Sequence, residues 1–181
     1  IPYNYITLNV YPDMEKVSNG GPTGEDFNNA HGDQKSEEEI QAMRALTQKV
    51  NNIIRSDLHT TISSIYSLTK YRRANFMKTA PGQRDAFVES RQEFTQPIFS
   101  RMIHDINAPM NGWILNELVT PDGTEKEYDF VSYDLFKDKA DINRPNPNKN
   151  YGKLAHPSLS NDEVQAIFNK NRAMRKMVKR E

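Results

Sequence analysis

Strict alternation of apolar and polar residues identifies the predicted strands of this chain. Four stretches alternate in this way and are rich in β-branched and aromatic side chains: 3–11, 71–79, 113–120 and 127–136. The last two are separated by Pro121-Asp122-Gly123, which is typical of a tight hairpin turn. The pattern therefore predicts an antiparallel sheet.

Apolar residues spaced three and four apart predict helices. Three stretches have this periodicity: 36–57, 84–106 and 160–180. A serine followed three residues later by a glutamate opens the first and last of them, as Ser36–Glu39 and Ser160–Glu163. These pairs are capping boxes, in which each side chain accepts a hydrogen bond from the other residue's backbone N–H. They set the predicted helix starts.

Two stretches complicate this pattern. Pro97 lies inside the 84–106 helix and removes a backbone donor, so a kink is expected there. The segment His59–Leu68 is predicted to continue the 36–57 helix or to bend into a second helical piece.

The predicted elements recur along the chain. Tyr3–Tyr11 reappears as Tyr128–Phe136, displaced by 125 residues, and the capped helix start at Ser36 reappears at Ser160. Two matched blocks in one order predict an internal repeat. The predicted domains are therefore a remnant of a first copy and a complete second copy. The remnant, 1–70, holds strand 3–11, loop 18–34 and helix 36–57. The second copy, 71–181, holds strands 71–79, 113–120 and 127–136 and helices 84–106 and 160–180. Because the first copy is incomplete and the chain opens at Ile1, we expect a missing N-terminal segment of the protein, or a second protein chain, to complete it.

The order strand, helix, strand, strand, helix predicts an α+β protein built from ferredoxin-like units. Phe76–Gln83, Gly112-Trp113, Pro121-Asp122-Gly123 and Tyr128–Val131 resemble motifs of the dimeric α+β barrel superfamily. That superfamily includes antibiotic-biosynthesis monooxygenases and the EthD and NIPSNAP-like proteins. The resemblance covers residues 71–142. It implies antiparallel sheets that enclose a cavity, here with an extra C-terminal helix in each repeat.

The candidate ligand-binding residues come from strand alternation. One face of the last strand carries aliphatic residues and is expected to be covered by helices, whereas the other mixes aromatic and hydrogen-bonding groups and suits a ligand cavity. The candidates are Arg73, Asn75, Trp113, Asn116, Tyr128, Ser132 and Asp134. Two alternatives remain open: the polar groups satisfy one another across a closed interface, and Trp113 is simply a core residue.

Three functions follow from these predictions. The first is binding of a small apolar or aromatic molecule in the cavity. The second is a cofactor-independent monooxygenase-like enzyme, which the resemblance implies, with Asn75, Trp113 and Tyr128 in its pocket. The third is a structural or assembly role, in which the polar loops and the 36–57 helix contact other proteins. Whether the chain is an enzyme is left open.

The composition of the chain bears on which classes of partner it can have. With 24 basic and 24 acidic residues the formal net charge is +0, which disfavours a dedicated nucleic-acid binder. No stretch has the roughly 20 apolar residues that a membrane span needs. The chain has no cysteine, which removes disulfides and thiolate sites without deciding the compartment. An extracytoplasmic location, periplasmic or secreted, is favoured over the cytoplasm.

Histidine is a common ligand of haem iron and of metal ions, so each histidine of the chain is a candidate ligand. His104, late on the 84–106 helix, would be a haem ligand only if the chain resembled chlorite dismutases more closely, and a helix C-terminus favours a histidine in any case. His31 and His156 each precede a helix and are interpreted as structural residues that bond loop backbone. No metal site and no cofactor are predicted.

Overall fold

The computed structural model describes five stretches of the chain: 9–18, 35–50, 56–65, 69–121 and 126–181. The chain divides into two compact units, Ile1–Ser56 and Asp57–Glu181. Among the described residues, no helix has both the length and the apolar character required to cross a bilayer.

The first unit contains two described helices, α1 (Met14–Ser18) and α2 (Glu37–Val50). The backbone N–H of Ser36 donates to Glu39 Oε2 at 2.8 Å, and the Glu39 N–H donates to Ser36 Oγ at 3.3 Å. The predicted capping box at the start of α2 is thus confirmed. The strand predicted over 3–11 falls mostly outside the described residues, and the described part, 9–11, has no regular secondary structure.

The second unit is built on a five-stranded antiparallel open sheet. Its strands are β1 (Leu58–Ile65), β2 (Tyr71–Thr79), β3 (Gly112–Thr120), β4 (Phe130–Phe136) and β5 (Arg175–Arg180). They lie in the order β1-β3-β4-β2-β5, and each neighbouring pair is antiparallel. The α+β class and the strands predicted at 71–79, 113–120 and 127–136 are confirmed, with the last beginning at Phe130.

The helical segments of this unit connect the strands. They are α3 (Arg84–Ser90), a π-helical turn (Arg91–Thr95), α4 (Gln96–Ile103), a 3₁₀ segment (Lys139–Asn143), α5 (Tyr151–Ala155) and α6 (Asn161–Ala173). From β2 onwards the chain therefore runs strand, helix, strand, strand, helix, strand, and β2 lies between β4 and β5. This arrangement is compatible with a ferredoxin-like fold.

A π-helical turn lies immediately before Pro97, where the sequence predicts a kink. Pro97 has no N–H and lies in the first turn of α4. Immediately before it, the Gln96 N–H donates to the Arg91 carbonyl, five residues back. The wider turn accommodates the missing backbone donor of Pro97, and the chain remains α-helical on both sides of it.

The helical prediction for His59–Leu68 is wrong, because residues 58–65 form β1. β1 pairs along the outer edge of β3, with Thr61 opposite Asn116 and Ile65 opposite Trp113. The segment contains two threonines and two isoleucines, which suit a strand as well as a helix, and the free edge of β3 decides between the two.

The predicted helix over 160–180 is correct only as far as Ala173. The Ser160–Glu163 capping box is confirmed at the start of α6. Beyond Met174, however, the chain forms β5 along the second edge of β2, with Met177 opposite Met77. Long basic side chains are common on edge strands, because they discourage further strand pairing.

The core lies between the sheet and the helices. Phe87, Phe94, Ile98 and Met102 form the inward stripe of the α3–α4 segment, and they belong to one buried cluster with Trp113 and Phe130. The helices therefore cover the face of β4 that carries Phe130, Ser132, Asp134 and Phe136. The prediction that helices would cover the aliphatic face is wrong. Large aromatic side chains from both layers fill this core.

Candidate functional site

A cavity of about 150 Å³ lies between the helix-covered face of the sheet and the α3–α4 segment. We call it the sheet–helix cavity. Its apolar wall consists of Met77, Phe99, Trp113, Leu115 and Met177. Trp113 is almost completely buried, with 2% of its surface exposed, and the rings of Phe99 and Trp113 lie 5.0 Å apart between centroids.

The polar residues of the sheet–helix cavity lie on β2, β4 and β5 and on the π-helical turn. It consists of Asn75, Arg91, Ser132, Asp134, Arg175 and Arg180. Register explains part of this grouping, because Asn75 of β2 lies directly opposite Ser132 of β4. An apolar wall with a few placed polar groups is the usual composition of a small-molecule site.

Asp134 is the centre of a hydrogen-bond network on this wall. Its Oδ2 atom accepts bonds from Arg73 Nε at 3.1 Å, Arg73 Nη2 at 2.9 Å and Asn75 Nδ2 at 3.1 Å. Asn75 Oδ1 in turn accepts a bond from Arg180 Nε at 2.8 Å. These groups satisfy one another, as one of the open alternatives expected, and their side chains are thereby fixed around the cavity.

Two arginines on the wall are left without such partners. The Nε atoms of Arg91 and Arg175 are fully buried and have no hydrogen-bond partner within the described chain. Arg91 makes one side-chain bond, from Nη1 to Thr95 Oγ1 at 3.3 Å, and its guanidinium lies 4.7 Å from the ring centroid of Phe87. For Arg175, no side-chain hydrogen bond or ion pair is recorded across the described stretches.

Burial perturbs both guanidinium groups. Desolvation is the main cause that lowers the pKa of Arg91 to about 10, and the neighbouring charge of Arg175 adds to it. Burial likewise lowers the pKa of Arg175, together with the charges of Arg172 and Arg180. Arginine side chains stay protonated in proteins at neutral pH, and the three arginines of this wall outnumber its one carboxylate, so the wall carries a net positive charge.

A larger cavity of about 430 Å³ adjoins the first. It lies under the 3₁₀ segment and shares Phe99 and Asp134 with the sheet–helix cavity. Arg73 lies here rather than in the sheet–helix cavity, and its Nη1 donates to the carbonyl of Ile142 at 3.2 Å.

The predicted site residues therefore separate into two groups. Asn75, Trp113, Ser132 and Asp134 line the sheet–helix cavity, and Arg73 adjoins them. The other two candidates, Asn116 and Tyr128, do not line it.

Asn116 alternates with Leu115 along β3 and so lies on the opposite face of the sheet. Tyr128 packs there against Leu118 and Val131. Its hydroxyl donates to Asp57 Oδ2 at 2.6 Å and accepts a bond from His59 Nε2 at 2.9 Å. The structure thus separates Tyr128 from Asn75 and Trp113.

The histidines have structural contacts. His156 stacks on Phe94 with ring centroids 4.7 Å apart, and its Nε2 donates to the Phe94 carbonyl at 3.0 Å. This matches the structural interpretation of His156, whereas His31 lies outside the described residues. His104 Nδ1 lies 2.6 Å from the Ser100 carbonyl. In the described part of the chain, no group of three or more His, Cys, Asp or Glu side chains could hold a metal ion.

Comparison of the chain with protein families, curated proteins and solved structures found no match. The site must therefore be interpreted from its own geometry.

Sequence reasoning missed all three arginines of the cavity lining, Arg91, Arg175 and Arg180, and also Met177. Arg91 had a detectable signal, because it occupies a core-facing position of the apolar stripe between Phe87 and Phe94. A charged residue at such a position requires a partner or a function. Arg175 and Met177 had no equivalent signal, since their position in a strand depends on the edge of β2.

Proposed function

We propose that this chain binds a small molecule with an apolar or aromatic body in the sheet–helix cavity. The observation that carries the proposal is the convergence of Asn75, Trp113 and Ser132, from three different strands, on one cavity. The volume of about 150 Å³ matches a cavity size known to bind benzene. A single ring or a short alkyl chain is therefore the size of ligand that we expect.

The polar network supports this function. A bound ligand gains affinity when the groups that receive it are already held in place, because less conformational freedom is lost on binding. Asn75 and Asp134 are held by bonds between themselves and from Arg73 and Arg180. The adjoining 430 Å³ cavity offers space for a longer substituent beyond Phe99.

The function can be tested by fluorescence, because Trp113 is the single tryptophan of the chain. Single-ring aromatic and short alkyl compounds, charged and neutral, would be titrated while the emission of Trp113 is recorded. Leu115→Phe adds volume inside the cavity and is expected to weaken binding by at least about 10-fold. Ile114→Phe is the matched control, since Ile114 is the adjacent residue and lies on the other face of the sheet.

Two results would refute the function. In the first, no compound changes the emission of Trp113 or releases heat in calorimetry. In the second, Leu115→Phe and Ile114→Phe affect binding equally, which would place the ligand elsewhere.

A finer fold assignment is proposed on separate grounds. We propose that the chain is a dimeric α+β barrel protein with a duplicated unit. Strand order compatible with a ferredoxin-like fold and the two capping boxes, at Ser36 and Ser160, support this assignment. A crystal structure of the chain tests it, because residues 3–11 must then form a strand equivalent to β4. Any other conformation of that segment would remove the duplication.

A further inference from the structure

We propose that the ligand of the sheet–helix cavity is a small organic carboxylate, whose charged group is held between Arg91 and Arg175 while its hydrocarbon body contacts Trp113. This inference rests on the proposed function and specifies the chemical class of the ligand. The starting observation is that two guanidinium groups on one cavity wall have buried Nε atoms without a hydrogen-bond partner in the described chain.

Buried charges in proteins are normally paired, because removal of a charge from water is costly. Here the two cations also repel each other, as the effect of Arg175 on Arg91 indicates. An anion between them would supply both missing acceptors and cancel the repulsion. A neutral ligand would supply the acceptors but would leave the repulsion between the two arginines.

Among the described residues, the cavity lining carries three arginines and one carboxylate. Asp134 is the only carboxylate on the wall, and its Oδ2 is already shared by Arg73 and Asn75. The third arginine of the wall, Arg180, is bonded to Asn75. The positive charge of Arg91 and Arg175 is therefore available to a ligand.

The shape and the lining of the cavity favour a carboxylate over an inorganic anion. A guanidinium group is a planar fork whose donors match the two oxygens of a carboxylate. Five further residues of the lining are apolar: Met77, Phe99, Trp113, Leu115 and Met177. These side chains would remove an alkyl or aryl body from water, and inorganic phosphate and sulfate have no such body.

Both arginines lie at points where the regular helices predicted from the sequence are interrupted. Arg91 is the first residue of the π-helical turn, and Arg175 is the first residue of the edge strand β5. π-helical turns occur frequently at functional sites, where they reposition a side chain within a helix. The side-chain bond from Arg91 to Thr95 is internal to this turn and leaves its Nε free.

The test uses matched pairs of ligands on the unaltered chain. Benzoate would be compared with benzamide, and cyclohexanecarboxylate with cyclohexanecarboxamide, by isothermal titration calorimetry at neutral pH. Each pair has the same body and differs in charge. We expect each carboxylate to bind about 10- to 100-fold more tightly than its amide, because charge-assisted hydrogen bonds are the stronger kind.

Substitutions then locate the charge. Arg91→Met and Arg175→Met are each expected to reduce carboxylate affinity by about 10-fold or more and to leave amide affinity nearly unchanged. Arg91→Lys should restore part of the loss. Arg101→Met is the control, since it removes an exposed arginine that does not line the cavity.

The possible outcomes separate this inference from the function on which it rests. Equal affinity for carboxylate and amide would refute the proposal that the ligand is an anion. The proposal that the chain binds a small molecule would still stand. If none of the carboxylates and amides binds, the proposed function is refuted, and this inference is refuted with it. If inorganic phosphate or sulfate binds as tightly as benzoate, the hydrocarbon body contributes nothing and the organic carboxylate is overturned.

Discussion

Replacement of Arg91 by methionine should stabilise the ligand-free protein, although it removes a core-facing residue. The guanidinium of Arg91 has a buried Nε with no hydrogen-bond partner in the described chain and lies on the same cavity wall as Arg175. Methionine has a similar length, no charge and enough flexibility to fill an irregular space. The substitution therefore removes an uncompensated charge while it keeps most of the apolar packing.

The magnitude follows from the pKa and the contacts of Arg91. Burial lowers its pKa from the usual arginine range to about 10, and one pKa unit corresponds to about 1.4 kcal/mol, so the charged form is destabilised by at most about 3 kcal/mol. Part of the side chain is exposed, which lowers this figure. The bond to Thr95 and the contact with the Phe87 ring offset about 2 kcal/mol. The expected net gain is about 1 kcal/mol.

The pH dependence of this effect has a definite sign. Arg91 is a base whose pKa is lowered on folding, so its unfavourable contribution is complete below a pH of about 10. It would disappear only as the pH rises above that value towards the ordinary pKa of arginine. The gain in Arg91→Met should therefore be constant across the neutral range, which separates it from effects of titrating carboxylates.

Urea unfolding monitored by the fluorescence of Trp113 and by far-ultraviolet circular dichroism would measure the change. The midpoint should rise with the m-value unchanged, and the melting temperature should rise by about 2–4 °C. Arg101→Met, an exposed position on α4, is the control and should change stability by less than about 0.5 kcal/mol. A loss of about 1 kcal/mol or more in Arg91→Met would show that Arg91 is a structural residue and would refute the reasoning.

Three further predictions concern the helices that follow β4. Ser160→Ala removes the N-cap of α6 and should cost about 1 kcal/mol in urea unfolding. The bond from the Ser160 backbone N–H lowers the pKa of Glu163, so the difference in melting temperature between wild type and Glu163→Gln should be present at about pH 7 and shrink by about pH 3. Gly152→Ala would place its Cβ 2.6 Å from Val164 Cγ1 and should cost about 1–3 kcal/mol. Val164→Ala in the same chain should recover part of that loss, and strictly additive costs would contradict the contact.

Local sequence patterns were sufficient for elements whose own residues determine them. β2 was predicted at its observed bounds, and β3 within one residue, because alternation continues along their whole lengths. The capping boxes were predicted correctly because each is a contact between residues three apart. Asn75, Ser132 and Trp113 could be chosen as candidates because they share one face of the same sheet.

The two errors in secondary structure have one physical cause. Segments 58–65 and 175–180 are edge strands, and each forms because a neighbouring strand offers unpaired backbone donors and acceptors. The neighbouring strand is distant in sequence, so the pairing cannot be predicted from the pattern of residues within either segment. Methionine and basic residues at 174–180 suit a helix equally well when no neighbour is considered.

The same long-range effects position the charged groups of the candidate site. Arg175 reaches the cavity only because the chain leaves the helix at Met174 and pairs with β2. Arg91 reaches it as the first residue of the π-helical turn that precedes Pro97. A regular helix through 84–106 and a regular helix through 160–180 would each have lacked the irregularity at which an arginine enters the cavity. Departures from local sequence rules are expected where function competes with stability. Here they coincide with two half-buried arginines whose Nε atoms have no hydrogen-bond partner in the described chain, which is the arrangement that the proposed carboxylate needs.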